Sequence, residues 1–115
     1  MKPPILKKFL ILYVSVIDDS IGIVLVQHDE EGKKRATYYL SKLFNNAEKK
    51  YTAIEKTCAG VVWVAQKLKH YFLAHEVQMI AKIDPFKYLL KKPTLMERLV
   101  KWQSFLSQFE ITYVT

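Results

Sequence analysis

The sequence predicts an α/β domain: a mixed β-sheet with helices packed on its faces. Three observations predict it. Residues 9–41 hold three apolar runs rich in β-branched and aromatic residues, joined by turn clusters. The apolar period then changes from two to that of a helix between Tyr51 and Phe72. Beyond it lie another strand-like run, two helical segments and a last short strand, giving the order βββ-α-β-αα-β. A meander followed by crossover connections sets three strands antiparallel and the later two parallel to the first.

Each element has its own local cause. Phe9–Ile17 is apolar on both alternations, as expected of a central strand covered on both faces. Asp18-Asp19-Ser20 is a turn cluster. Ile21–Gln27 is the second strand, with Gly22 allowing a bulge or a close neighbour. The loop from Asp29 to Lys34 carries Gly32, free to take positive φ. Ala36–Ser41 is the third strand. Tyr51, Ile54, Cys58, Val61, Ala65, Leu68 and Phe72 then recur at spacings of three and four, one seam of a long helix. Asn45 or Asn46 is its expected N-cap, with Glu48 in the first turn and Lys67, Lys69 and His70 in the last turns, where they suit the helix dipole. Glu76–Ile83 is the fourth strand. Pro85 opens a short helix to Lys91. Leu95–Gln108 is a second amphipathic helix, with Leu95, Leu99, Trp102, Phe105, Leu106 and Phe109 on its apolar side. Ile111–Val114 is the terminal strand.

Composition bounds the class. The chain has 115 residues, half of them apolar and a quarter charged, with three glycines and four prolines. That excludes collagen-like and disordered classes and leaves one domain able to bury roughly two-thirds of its unfolded surface. No apolar run approaches the ~18 residues of a membrane span. Lys2, Lys7 and Lys8 before Phe9–Ile17 mimic a signal peptide. But Asp18-Asp19 follows with no cleavage site, so a buried strand and an intracellular protein of cytoplasm or nucleus are expected. The lone Cys58 fits a reducing compartment. The formal net charge is +7. Residues 1–32 are net negative, and most of the positive excess lies in residues 33–58 and again near the C-terminus. Such an excess favours nucleic acid first and an anionic surface second, and it also keeps an ordinary domain soluble.

The residues also carry words. They are Leu12-Tyr13; Asp18-x-x-Ile21-Gly22-x-Val24-Leu25-x-Gln27; Asp29-Glu30-Glu31-Gly32-Lys33; Tyr39-Leu40-Ser41-Lys42; and Ala47-Glu48-x-x-Tyr51-x-x-x-Glu55-Lys56. Val61-Val62-Trp63, His70-Tyr71-x-Leu73, Pro85-x-Lys87-Tyr88-Leu89-Leu90, Arg98-x-x-Lys101-Trp102 and Phe109-Glu110-Ile111-x-Tyr113 complete them. In this order the chain resembles the RNase H-like domain that follows reverse transcriptase in gypsy-type LTR retrotransposons, in wording close to the plant branch. The resemblance covers residues 9–115, after a lead-in of residues 1–8. It implies an RNase H-like fold with sheet order 3-2-1-4-5, truncated before the family's C-terminal helix. It also implies a polyprotein context, with reverse transcriptase and downstream domains as neighbours and an RNA–DNA hybrid or other nucleic-acid backbone as ligand.

Family members cleave RNA in RNA–DNA hybrids with two Mg²⁺ ions about 4 Å apart, which need clustered carboxylates. The family's Asp in the first strand follows Leu-Tyr within a T-D-A-S word. Here Leu12-Tyr13 leads into Val14-Ser15-Val16-Ile17, so Ser15 holds that position. The family's Glu opens an E-L-L-A word after Glu-Lys; here Thr57 does, in Thr57-Cys58-Ala59-Gly60. The fourth-strand word T-D-H-K-P-L corresponds to Ala81-Lys82-Ile83-Asp84-Pro85-Phe86, with Lys82 in the place of Asp. The helix bearing a fourth Asp would lie beyond Thr115. The expectation is a domain without catalytic residues and without a bound metal, serving as a connection and a holder of nucleic acid.

Two alternatives stand beside it. One is an active Mg²⁺-dependent ribonuclease H whose carboxylates have shifted to Asp18, Glu55 and Asp84. Those three also read plainly as a turn residue, an exposed helical residue and a cap. The other is a fragment that contacts protein only. Lys87, Lys91, Lys92, Arg98 and Lys101, around the two C-terminal helices, are candidate phosphate contacts or simply a solvated face. His28, His70, His75 and Cys58 lack zinc-ligand spacing. Cys58 reads as a buried thiol, and Trp63 and Trp102 as core anchors or partner contacts. No glycine-rich phosphate loop is present.

Overall fold

The computed structural model describes residues 8–84 and 97–114. Five strands form one sheet: β1 Leu10–Ile17, β2 Ser20–His28, β3 Lys34–Leu43, β4 Val77–Ile80 and β5 Ile111–Tyr113. Their order is β3-β2-β1-β4-β5. β1 runs antiparallel to β2, with Ile17 opposite Ser20, and parallel to β4, with Tyr13 opposite Ile80. β4 and β5 are parallel. The expected mixed sheet and its central first strand are both present.

The helices are α1 Ala53–Lys67, α2 Lys69–Ala74 and α3 Glu97–Leu106. One face of the sheet packs on them. Leu10, Leu12 and Val14 of β1, Ile21, Ile23 and Leu25 of β2, and Val77 and Met79 of β4 meet Val61, Val64 and Ala65 of α1 and Phe72 of α2. Each such aliphatic side chain withdrawn from water contributes about 1.5–3 kcal/mol. The aromatic rings close the core: Phe72 meets Phe109 edge-on at 5.8 Å, and Phe105 meets Phe109 at 5.3 Å. α1 sits close to β2 because Gly60 has no side chain; a Cβ there would land on Cδ1 of Ile21.

Several expectations are corrected. β1 is central but not covered on both faces along its length: Ser15 is exposed and Ile17 is 65% exposed. The long helical seam is cut twice. Tyr51 and Thr52 are extended, so a 3₁₀ turn at Glu48–Lys50 precedes the helix instead of opening it. Two capping boxes compete here. Asn45 Oδ1 accepts from Glu48 N–H at 2.8 Å, and Glu48 Oε1 accepts from Asn45 N–H at 2.9 Å. Thr52 and Glu55 do the same at the start of α1. Asn45 therefore braces the first residue of the 3₁₀ turn, whose N-cap position is Ala47, and Thr52 is the N-cap of α1. The second cut is at Leu68, whose backbone leaves the helical region (φ −116°, ψ 34°). Leu68 and Phe72 both remain buried across it. Lys69 and His70 consequently open α2 rather than end α1, the wrong pole for a cation.

β4 stops at Ile80, three residues before the expected Ile83. The Ala81 carbonyl accepts from the side-chain hydroxyl of Tyr113 in β5 at 2.8 Å rather than from a backbone N–H of that strand. Gly22 has open space around it, and the bulge falls elsewhere, between Leu25 and Val26 of β2 and opposite Thr37 of β3. The Pro85–Lys91 segment lies outside the described residues. Gly32 does take positive φ, 81°, in the β2–β3 loop.

Candidate functional site

A cleft of about 690 Å³ opens at the C-terminal ends of β1 and β4, beside the first turns of α1. Its walls include Tyr13, Ser15 and Ile17 from β1, Ala53 and Thr57 from α1, and Ile80, Lys82 and Ile83 from β4 and the bend after it. Ser15, Thr57 and Lys82 thus line one cavity, although they come from three separate elements.

Each is placed by its local structure. Ser15 alternates with Val14 and Val16, so when Val14 enters the core Ser15 faces out. Thr57 lies one turn into α1; its hydroxyl donates to the Ala53 carbonyl at 3.0 Å, and the residue is buried. Lys82 stands two residues past β4 and is exposed. Tyr13, two residues before Ser15 on the same strand face, enters the sequence analysis only through the Leu12-Tyr13 word and not as a site residue. Its hydroxyl accepts from Lys34 Nζ at 2.7 Å, and the same ammonium lies 5.2 Å from its ring centre. The period of two could have found Tyr13. Lys34 arrives only through the β2–β3 register and the reach of its side chain.

No carboxylate is among the described lining residues. Asp18 sits in the two-residue β1–β2 turn with φ of 50°, and its carbonyl accepts from Lys56 Nζ at 3.0 Å. Glu55 is held in the α1 capping box. Glu55 and Asp84 both approach Cys58: burial chiefly, and then these two negative charges, push its thiol up to about 12. Cys58 is fully buried and keeps its proton, so it is no nucleophile. Among the described residues no group of three or more His, Cys, Asp or Glu side chains could hold a metal ion, so Asp18, Glu55 and Asp84 do not come together as one. A pair of divalent cations does not fit the cleft either. A hydroxyl, a second hydroxyl already committed to Ala53, and an ammonium offer none of the anionic oxygens such ions require.

Lys87, Lys91 and Lys92 lie outside the described residues. Arg98 is within α3, and Lys101 on the same helix is exposed. His75 is buried, with Nδ1 3.0 Å from the Lys8 carbonyl. Trp63 packs half-buried against the core with Lys42 Nζ 6.0 Å from its ring centre. Trp102 meets Tyr51 edge-on at 5.9 Å. No helix among the described residues is long and apolar enough to cross a membrane.

Sheet order, helix placement and a cleft at the ends of β1 and β4 define an RNase H-like domain. Residues 6–109 match the model of the RNase H-like domain found in reverse transcriptase, and the chain belongs to that family. It is 30% identical over 116 residues to the retrovirus-related Pol polyprotein from transposon 297 of Drosophila melanogaster, covering 97% of this chain and 10% of that protein. It is 26% identical over 91 residues to the Pol polyprotein from transposon opus of the same fly, covering 78% and 9%. The chain therefore spans about a tenth of the length of the curated relatives it matches. Among solved structures, foamy viral protease-reverse transcriptase in complex with dsDNA superposes with a TM-score of 0.76 at 22% identity, over 94% of this chain and 23% of that one. The same enzyme in complex with an RNA/DNA hybrid gives 0.74 at 22% identity, over 95% and 15%. At such identity these neighbours establish the fold.

Proposed function

We propose that this RNase H-like domain is catalytically inactive and serves its polyprotein as a connection and a holder of nucleic acid. In this reading it joins reverse transcriptase to a downstream domain, inside the cell, in an element of the gypsy type and plant-like branch whose wording it shares. One observation carries the loss of catalysis. The three positions that the family fills with carboxylates line one cleft, and they are Ser15, Thr57 and Lys82. Three negative charges have become one positive charge. A dication about 4 Å from an ammonium meets a repulsion of roughly 8 kcal/mol at an effective dielectric constant near 20. Hydroxyls cannot offset that. The holding role is supported by the net charge of +7 and by the exposed Lys82 and Lys101.

Calorimetric titration of Mn²⁺ into the chain tests the charge argument. The parent chain should show no site heat. The triple variant Ser15→Asp, Thr57→Glu, Lys82→Asp should gain a site. Equal Mn²⁺ binding by both would sink the assignment of these three positions.

A further inference from the structure

We propose that the cleft binds a phosphate oxyanion directly, without a divalent cation, and that this anion is a phosphodiester of a nucleic-acid strand. The inference rests on the holding role proposed above and gives that role a contact. It starts from the hydrogen-bond inventory of the cleft. Lys82 supplies an ammonium, and no ion pair or hydrogen bond engages it among the described residues. Ser15 is exposed, and its hydroxyl is likewise free to donate. The Tyr13 oxygen accepts from Lys34 at 2.7 Å, so its own O–H is left to point at a ligand. Thr57 adds no donor, because its proton goes to the Ala53 carbonyl.

Ser15 and Lys82 thus bring two donors to one cavity that Tyr13 also lines, with Lys34 held at the phenol oxygen on the side toward β3. The neighbouring acids, Asp18 and Asp84, are not among the lining residues. Hydroxyls that can donate, and positive charge with no carboxylate among the described lining residues, suit an anion. The cavity is also open along β1, where Ser15 and Ile17 are exposed, so a continuous strand can lie across it. A site that in its relatives needs metal to meet phosphate would here meet it with Lys82.

The test is fluorescence anisotropy of a short labelled RNA–DNA hybrid with the whole chain in EDTA, across a salt series. One phosphate contact carries a slope of about 0.9 in log K against log salt, so it is worth about eightfold between 1 M and 0.1 M salt. Lys82→Met should weaken binding about eightfold near 0.1 M and lower the slope by about 0.9. Lys67→Met, about 15 Å further along α1 from Thr57, should change both much less. Tyr13→Phe should weaken binding with the slope unchanged. Inorganic phosphate, matched for ionic strength with chloride, should displace little hybrid. Lys82 is exposed, and an unchanged thermal midpoint will show that its variant folds. If hybrid binds but Lys82→Met behaves like Lys67→Met, the phosphate site is wrong and the holding role stands. Binding that vanishes in EDTA overturns the metal-free contact. Displacement by inorganic phosphate that depends on Lys82 makes the site one for free phosphate and overturns the nucleic-acid assignment. A chain that binds no hybrid at all overturns both readings.

Discussion

Ser15 and Lys82 each lie two positions beyond one paired couple: Tyr13 pairs with Ile80 at the end of the parallel β1–β4 ladder, and both residues line the cleft that opens past it. The ladder ends at Ile80, which lets the chain bend away and leaves the cleft between them. Sheet register, rather than any local motif, brings a first-strand hydroxyl and a fourth-strand ammonium to one cavity. Thr57 closes the third side because α1 packs its first turns against β1.

The contact between Gly60 and Ile21 sets how closely α1 lies on the sheet. Gly60→Ala gains helix propensity of up to about 1 kcal/mol but forces a methyl onto the Ile21 side chain, which is almost fully buried. We expect a net loss of about 1–2 kcal/mol in urea unfolding. Adding Ile21→Val, which removes the obstructing Cδ1, should recover part of it. A cycle that is simply additive would show that the two residues do not meet.

Thr37 is the residue left over at the bulge. Its Oγ1 is buried and has no hydrogen-bond partner among the described residues. Thr37→Val keeps the shape and removes an unsatisfied polar atom, so it should stabilise the domain by about 1 kcal/mol and raise the melting midpoint by several degrees. A lower midpoint would mean that the hydroxyl is satisfied.

Glu48 ties the end of β3 to the 3₁₀ turn, through Lys42 Nζ at 2.9 Å and the Asn45 N–H. Burial alone would raise its carboxyl. The Asn45 N–H and the Lys42 ammonium outweigh it, and the group falls below its ordinary 4.5. Because the folded value is the lower one, the stabilisation is present above about pH 4.5 and is lost as pH falls through the folded value. Glu48→Gln should therefore be less stable than the parent by about 1 kcal/mol at neutral pH, and the gap should close in acid. A gap independent of pH would exclude the ion pair as its cause.

Much of this architecture was legible in the residues. The unbroken apolar run over Phe9–Ile17 and the seam from Ile54 to Phe72 gave the first strand and the helical region, and the order of elements gave the mixed sheet. What escaped depends on competition or on distant partners. Asn45 and Thr52 both carry a glutamate three residues on, and nothing local says which of them caps the long helix. Leu68 continues the apolar seam, so the break there leaves no trace in the pattern. Alternation runs unbroken through Ala81, Lys82 and Ile83, and only the Tyr113 hydroxyl, taking the Ala81 carbonyl, marks where β4 ends. Within the cleft, Ser15, Thr57 and Lys82 came from the family resemblance, and all three are lining residues. The pairing of Lys34 with Tyr13 needed the hairpin register.

Incubating the chain with a labelled RNA–DNA hybrid in Mg²⁺, and again in Mn²⁺, tests the proposed loss of catalysis most directly. With an ammonium and two hydroxyls where metal-binding carboxylates are required, the hybrid should remain intact and the products indistinguishable from those in EDTA. Specific cleavage of the RNA strand, abolished by EDTA and by Asp84→Asn, would contradict the account and hand the activity to the shifted carboxylates.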